Sequence, residues 1–186
     1  MKYSVDKLLL EDELHKYLFF WGNRASNDGT ITKSCFSQWW EQDFKEFGII
    51  YRSAEHYMMA KKAELFNDTE ILEAVLACSS PAEAKKLGRE VRGYNEDLWL
   101  QRRYPIVLQG NYLKFSQNQP LGQFLIKTGN RVLAEASPVD GIWGIGMAAD
   151  NPDALQPAKW QGLNLLGFAL MEVRDMLQDN KMIENR

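Results

Sequence analysis

The stretch Ser53–Ala63, with the sequence SAEHYMMAKKA, opens the helical part of this chain and decides its fold class. Ser53 is a residue type that caps the first turn of a helix, so a helix is predicted from there to about Phe66. Further helices are predicted to begin at Ser80 and Asn95 and to span Gln119–Lys127 and Leu163–Leu177. The chain is therefore predicted to be mainly helical.

Two of these helices carry marked start or break signals. Ser80–Glu83 combines a serine cap, a proline at the first helical position and a glutamate placed to reach back to the cap. The next segment runs from Asn95 to about Ser116 and contains Pro105. Because proline removes a backbone donor and clashes with the preceding turn, Pro105 should kink or divide that helix.

Short apolar segments predict a small β-component. Tyr17–Trp21 (YLFFW) is expected to be a buried strand, and Arg131–Ala136 (RVLAEA) is a further strand candidate. Phe44–Phe47 and Ile49–Tyr51 flank Gly48, as in a short hairpin or a bulged strand pair. Together with the helices, these segments predict an α+β, mainly helical fold with a small β-sheet.

The composition is that of an ordinary globular protein. The 186 residues are 45% apolar and 25% charged, and no repeat or linker divides them, so a single domain over residues 1–186 is predicted. The net charge of −3 argues against tight non-specific binding to nucleic acid. Cys35 and Cys78 suit a reducing compartment. No apolar run reaches the ~20 residues of a membrane span, so a cytoplasmic protein without membrane association is expected.

The helix after Ser53 carries an unusual stripe of side chains. Glu55, Met59, Lys62 and Phe66 fall at i, i+4, i+7 and i+11, so charged and apolar residues alternate on one face. Glu55 and Lys62 are about 10 Å apart along the axis, too far for a simple ion pair. Either they flank a ligand in one cleft, or they are the ends of a boundary stripe that extend to water.

The glycine-rich stretch Asp140–Gly146, with the sequence DGIWGIG, is a second candidate. Glycines let a backbone approach a ligand closely in a bent loop, which would present Asp140 and Trp143. The alternative is an ordinary turn in which Asp140 bonds its own backbone. The glycine spacing does not match a dinucleotide-binding loop, and no zinc motif is present. No cofactor or metal is predicted.

The chain resembles the NADAR family, also called YbiA-like, because these stretches follow one another in the same order as the sequence motifs of that family. The resemblance is carried by Ser53–Ala63, Ser80–Arg89, Tyr112–Phe115, Asp140–Gly146 and Asn164–Arg174. Each piece alone is unspecific, but together they extend over nearly the whole chain.

The sequence departs from the family pattern in two places. Ser37-Gln38-Trp39 stands where the family usually has Ser-Asn-Phe, and the turn-rich insertion Gly22–Lys33 is long. Both changes are expected near the mouth of the substrate site, so they concern the identity of the substrate more than the reaction.

The resemblance implies hydrolysis of the bond between ribose C1′ and a nitrogen. Known substrates of the family are ribosylamino-pyrimidine phosphates of early riboflavin synthesis and ADP-ribose attached to guanine. We therefore expect a hydrolase, an N-glycosidase, whose partner is a small nucleotide-like substrate or ADP-ribosylated guanine, free or within nucleic acid. The alternative is a non-catalytic module that binds ADP-ribose or nucleotides. The oligomeric state is not indicated.

On this resemblance the site residues receive roles. Lys62 is the candidate nucleophile, because burial near Met59 and Phe66 would lower the pKa of its amine. Glu55 and Asp140 would move protons or hold ribose hydroxyls while an oxocarbenium-like state forms. Other residues would bind the substrate by stacking on the base, by neutralising a phosphate or by close approach of the backbone. These candidates are Trp143, Gly144, Trp21, Tyr57, Arg89 and Asn164.

Overall fold

The computed structural model of the chain describes residues 1–11 and 15–184, without the side chains of residues 181–184. Its helices are α1 (Val5–Leu10), α2 (Ala54–Leu65), α3 (Thr69–Ala77), α4 (Pro81–Arg89), α5 (Glu96–Gln117), α6 (Gln119–Ile126) and α7 (Leu165–Glu184). Its strands are β1 (Tyr17–Phe20), β2 (Glu41–Glu46), β3 (Ile49–Ser53) and β4 (Val132–Glu135). The residues group into two compact units, Met1–Ser37 with Gln119–Arg186 and Gln38–Asn118. The single domain over residues 1–186 stays a prediction.

The predicted α+β, mainly helical fold is confirmed. The helix starts are explained by local capping: Ser53, Ser80 and Asn95 each accept a hydrogen bond from the backbone N–H three residues later. The helices α1 and α3 were not predicted. The predicted small β-component is present as well, and the described strands pair as two two-stranded sheets. Apolar periodicity identifies strands but does not determine which distant strands pair.

The first unit is built on a parallel pair of strands and the C-terminal helix. β1 pairs with β4 in the register Tyr17↔Val132 to Phe20↔Glu135, and α7 packs against β4. A Cβ atom at Gly167 would overlap the carbonyl oxygen of Leu133. Glycine at this position therefore lets α7 approach the strand backbone closely.

The second unit surrounds α2. The strands β2 and β3 form an antiparallel hairpin with a register irregularity between Glu41 and Phe44, and α2 packs against α3, α4 and α5. α5 continues through Pro105 as one helix, so of the two predicted effects of this proline the division is wrong and the kink stays a prediction. Proline lacks the N–H group that would donate one backbone hydrogen bond of this helix. The helix has 22 residues and packs against α2, and these other interactions stabilise it.

Cys35 and Cys78 are both free thiols and both buried. No helix in the described part of the chain is long and apolar enough to cross a membrane.

Leu166→Ala is expected to lower the free energy of unfolding by about 2–5 kcal/mol, because it removes a large buried side chain and leaves a cavity. Leu166 is fully buried in α7. Urea denaturation monitored by circular dichroism measures the change. Leu163→Ala is the matched control, since Leu163 is half exposed just before the same helix. Similar losses for both variants would contradict the assignment of Leu166 to the core.

Candidate active site

Lys62 lies on α2 beneath two aromatic rings. Its Nζ atom donates a hydrogen bond to the carbonyl oxygen of Gly88 at 2.8 Å, and it stands 4.6 Å from the ring centroid of Tyr94 and 5.4 Å from that of Trp99. Phe66 packs on Tyr94 with the ring centroids 5.3 Å apart. The lysine is therefore half-buried under rings contributed by the segment after α4 and by α5.

Opposing effects act on the charge of Lys62. Burial lowers the pKa of its amine below the ordinary value, and the carboxylate of Glu96 acts in the opposite direction. The faces of Tyr94 and Trp99 favour the charged form by cation–π attraction. Gly88 lies in the last turn of α4, where the helix dipole also favours a cation. Lys62 can thus hold a proton at rest yet lose it more readily than an exposed lysine.

Gly88 fits the close contact between α2 and α4. A Cβ atom at this position would overlap the sulfur of Met59. Met59, predicted to cover Lys62, is therefore packed under α4, and the close approach brings the Gly88 carbonyl within reach of Lys62. The residues that enclose the ammonium were missed in the sequence because they lie beyond helical spacing from it.

Glu55 is buried at the start of α2, with 3% of its surface exposed. Its backbone N–H donates to the carbonyl of Gln38 at 3.0 Å, and the side-chain oxygen of Gln38 accepts from Asn111 at 2.7 Å. The alternative in which both charged ends of the stripe extend to water is therefore wrong for Glu55. Gln38, which replaces the usual asparagine of the family element, joins the start of α2 to α5.

Lys114 is a buried residue to which no role was assigned from the sequence. It is 0% exposed on α5, one helical turn after Asn111 and so on the same helix face. A fully buried lysine is rare because a charge costs free energy to desolvate. Only its place in the family-like stretch Tyr112–Phe115 distinguished it in the sequence. Lys114 therefore joins the candidate functional residues of the second unit.

Tyr57 and Arg89 occupy different environments in the second unit. The hydroxyl of Tyr57 donates to Glu46 Oε2 at 3.0 Å, and its ring packs against Tyr51. Burial raises the pKa of Tyr57 well above its ordinary range. Five positions along α2 turn Tyr57 roughly 140° from Lys62, so stacking on a base beside Lys62 stays a prediction. Arg89 is exposed at the end of α4 and makes no ion pair within the described residues.

Asp140, in the first unit, forms a tight turn with its own loop. Its Oδ1 atom accepts hydrogen bonds from the backbone N–H groups of Ile142 at 2.9 Å and Trp143 at 2.8 Å. The turn considered as the alternative in the sequence is thus present. Within the described residues Oδ2 accepts no hydrogen bond, so this oxygen is available to a substrate.

Gly144 and Asn164 hold the glycine-rich loop against β4. A Cβ atom at Gly144 would come within 2.7 Å of the Glu135 carbonyl oxygen. Asn164 is fully buried: its Oδ1 accepts from the Glu135 N–H at 3.0 Å and its Nδ2 donates to the Leu133 carbonyl at 2.9 Å. Both residues therefore have structural contacts, and their contact with substrate stays a prediction.

The two predicted tryptophans of the first unit differ in exposure. Trp21 follows β1 and is 58% exposed, so the predicted buried strand ends at Phe20. Trp143 is half-buried within the loop that Asp140 closes. Among the residues that the structure describes, no cluster of histidine, cysteine and acidic side chains could hold a metal ion.

The comparisons with known proteins agree with this arrangement of elements. Residues 19–178 match the model of the NADAR domain. The chain belongs to the NADAR domain family. It is 44% identical over 168 residues to an N-glycosidase of Acanthamoeba polyphaga mimivirus, covering 88% of this chain and 97% of that protein. It superposes on the NMR structure of YbiA from E. coli with a TM-score of 0.70 and 25% identity, covering 92% of each chain.

A further relative is a longer protein with a different name. The chain is 34% identical over 133 residues to a riboflavin biosynthesis protein of Vibrio vulnificus. The aligned segment covers 72% of this chain but only 32% of that protein. Two relatives that this chain covers over most of their length are named N-glycosidases. This NADAR protein is therefore an N-glycosidase, which is a type of hydrolase. The alternative of a non-catalytic binding module is thereby set aside.

Proposed function

We propose that this NADAR protein hydrolyses the bond between ribose C1′ and nitrogen in a ribosylamino-pyrimidine phosphate, an intermediate of riboflavin synthesis. The observation that carries the proposal is Lys62, a half-buried amine with a lowered pKa, oriented by the Gly88 carbonyl. The relation to a riboflavin biosynthesis protein supports this substrate class. The net charge of −3 disfavours a nucleic-acid substrate, so ADP-ribosylated guanine is the second candidate.

The reaction would begin with a nucleophilic attack by Lys62. Its neutral Nζ atom bonds to C1′ while the C1′–N bond breaks and the base leaves with the electron pair and a proton. The new C1′–Nζ nitrogen then expels the ring oxygen, which takes up a proton, and an iminium ion forms on the opened sugar. Water adds to C1′, the lysine leaves, and free ribose phosphate is released.

Carboxylates would move the protons that these steps require. Glu55 lies on the same helix stripe as Lys62 and is buried at the start of α2, and its carboxylate would transfer protons during ring opening and water attack. Asp140 would stabilise positive charge at C1′ through its available oxygen, Oδ2. Trp143 and Trp21 would stack on the base. Gly144 and Asn164 would hold the loop that carries Asp140 and Trp143.

Incubation of the protein with both substrate classes tests this assignment. Mass spectrometry would detect free pyrimidine with ribose phosphate in one reaction, and free guanine with ADP-ribose in the other. Release from the pyrimidine phosphate at a higher kcat/KM is the expected result. Preference for ADP-ribosylated guanine would replace the proposed substrate by the second candidate, and turnover of neither would overturn the proposal.

Arg89→Ala is expected to reduce kcat/KM for phosphorylated substrates about ten-fold or more, because a charge-assisted hydrogen bond to phosphate contributes roughly 1.5–3 kcal/mol. The dephosphorylated substrate should be affected much less. Steady-state kinetics with both forms measure the difference. Arg102→Ala is the matched control, since Arg102 is also exposed in the second unit. Equal losses with both forms would remove Arg89 from phosphate recognition.

A further inference from the structure

A cavity of about 490 Å³ lies in the first unit, at the end of the sheet where β1 and β4 begin. Lys16 and Asn130, which precede the two strands, line one side of it, and Arg174 and Gln178 of α7 line another. A space of this volume is large enough for a small metabolite.

Arg174 is the notable residue of this cavity, because it is charged and only 3% exposed. Its Nη1 atom donates to Thr128 Oγ1 at 2.9 Å and to the Arg131 carbonyl at 2.8 Å. Among residues 1–11 and 15–180, Nε and Nη2 complete no hydrogen bond of ordinary geometry, although the Tyr3 hydroxyl and the Asp175 carboxylate also act on the guanidinium. Neither nitrogen is sealed from solvent. The Nε–Nη2 edge of the guanidinium therefore borders the cavity.

That edge has the geometry for one kind of ligand. On a guanidinium, the N–H groups of Nε and one Nη point in the same direction and form a fork. The fork fits two oxygens of a carboxylate or a phosphate, and such charge-assisted pairs are about twice as strong as neutral hydrogen bonds. A buried arginine with this edge unfilled indicates a site for an oxyanion.

The other charges around the cavity leave room for an anion. The carboxylate of Asp175 is bound by Lys2 at 2.5 Å and by the Tyr3 hydroxyl at 2.8 Å. Glu11 lies 3.5 Å from His15. Lys16 makes no ion pair within the described residues. Asp175 also attracts the guanidinium of Arg174, but its carboxylate is already bound by Lys2 and Tyr3, and Lys16 adds a second positive charge to the cavity.

We propose that this cavity binds a small metabolite through a carboxylate or phosphate group, held on the Nε–Nη2 edge of Arg174 with Lys16 as the second cation. Asn130 and Gln178 supply amide groups for the remainder of the ligand. The site is a binding site, separate from the reaction assigned to Lys62, and no step of that reaction depends on it.

Its position within the first unit separates it from the Asp140 loop. The cavity lies where the parallel strands begin, whereas the loop follows the end of β4. Arg174 lies about 13 Å along α7 from the helix start that contacts the loop, at 1.5 Å per residue. Lys16 also precedes residue 19, where the match to the NADAR domain begins. The proposed site is therefore built partly from residues outside the family-matched segment.

Isothermal titration of the full chain with inorganic phosphate, and in parallel with acetate, at constant ionic strength tests the proposal. Saturable one-to-one binding of at least one of the two is expected, and the tighter binder identifies the group that the natural ligand carries. Absence of saturable binding of both at about 10 mM, a concentration that detects interactions of roughly −3 kcal/mol, would overturn the proposal.

Variants locate the binding. Arg174→Lys keeps the charge but removes the fork, and Lys16→Gln removes the second cation; each should weaken binding about ten-fold. Lys127→Gln, which changes an exposed lysine of the same unit outside the cavity, should leave the affinity unchanged. If Arg174→Lys does not fold, the affinities of Lys16→Gln and Gln178→Leu for the same anion test the site, and both should be weaker than that of the wild type. Unchanged binding in these two variants would refute the site.

Discussion

Lys62→Arg is expected to abolish turnover of N-ribosyl substrates while the protein stays folded. Arginine keeps the positive charge and much of the bulk, and it can still donate to the Gly88 carbonyl and pack under Tyr94 and Trp99. It remains protonated throughout the accessible pH range and cannot attack C1′. Steady-state kinetics measure the loss, and thermal melting shows that the fold is retained.

The covalent intermediate offers a direct observation of the same chemistry. Borohydride added during turnover should reduce the iminium ion and trap a sugar adduct, which peptide mass spectrometry would locate on Lys62. Lys61→Arg is the matched control: Lys61 is the preceding residue, but it pairs with Glu46 at 3.1 Å and Glu64 at 2.9 Å. This variant should remain active and form the adduct. Full activity of Lys62→Arg would exclude the covalent mechanism.

The pH dependence of the wild-type rate should follow the amine of Lys62. Below its pKa the amine is protonated and cannot attack, so kcat/KM should rise with pH as the neutral fraction grows. Because burial lowers this pKa, the rise should occur below the pH range in which an exposed lysine titrates. A rate that is flat across this range would contradict a role for the neutral amine of Lys62 as the nucleophile.

Asp140→Asn should also remove most activity, with little change in stability. The asparagine Oδ1 atom can accept the same hydrogen bonds from Ile142 and Trp143, so the turn is retained, but the negative charge on Oδ2 is lost. Loss of electrostatic stabilisation at the reacting centre typically reduces kcat by roughly 10²–10³-fold. The variant therefore separates the chemical role of the carboxylate from its role in the turn.

Asp140→Ala provides the comparison for the structural role. It removes both acceptor interactions, and roughly 1–3 kcal/mol of stability should be lost with them. Thermal melting and kinetics on both variants distinguish the outcomes. If Asp140→Asn is fully active and Asp140→Ala is destabilised, Asp140 forms the turn and takes no part in the reaction.

The sequence by itself determined the helix starts and the hairpin. Ser53, Ser80 and Asn95 were predicted as helix caps or starts, and each side chain does accept the N–H three residues later. The hairpin around Gly48 was also predicted, and Gly48 has the positive φ of 85° that glycine tolerates. These features depend on residues close together in the chain, so the local sequence contains the information.

Only the tertiary structure decided what surrounds the candidate catalytic groups. The spacing on α2 predicted burial of Lys62 by Met59 and Phe66, whereas its ammonium lies against Tyr94, Trp99 and the carbonyl of Gly88. The pairing of β1 with β4 likewise joins strands that are 115 residues apart in the sequence, from Tyr17 to Val132. Such contacts depend on which surfaces pack together after the chain has folded, and helical or strand periodicity within one segment does not encode them.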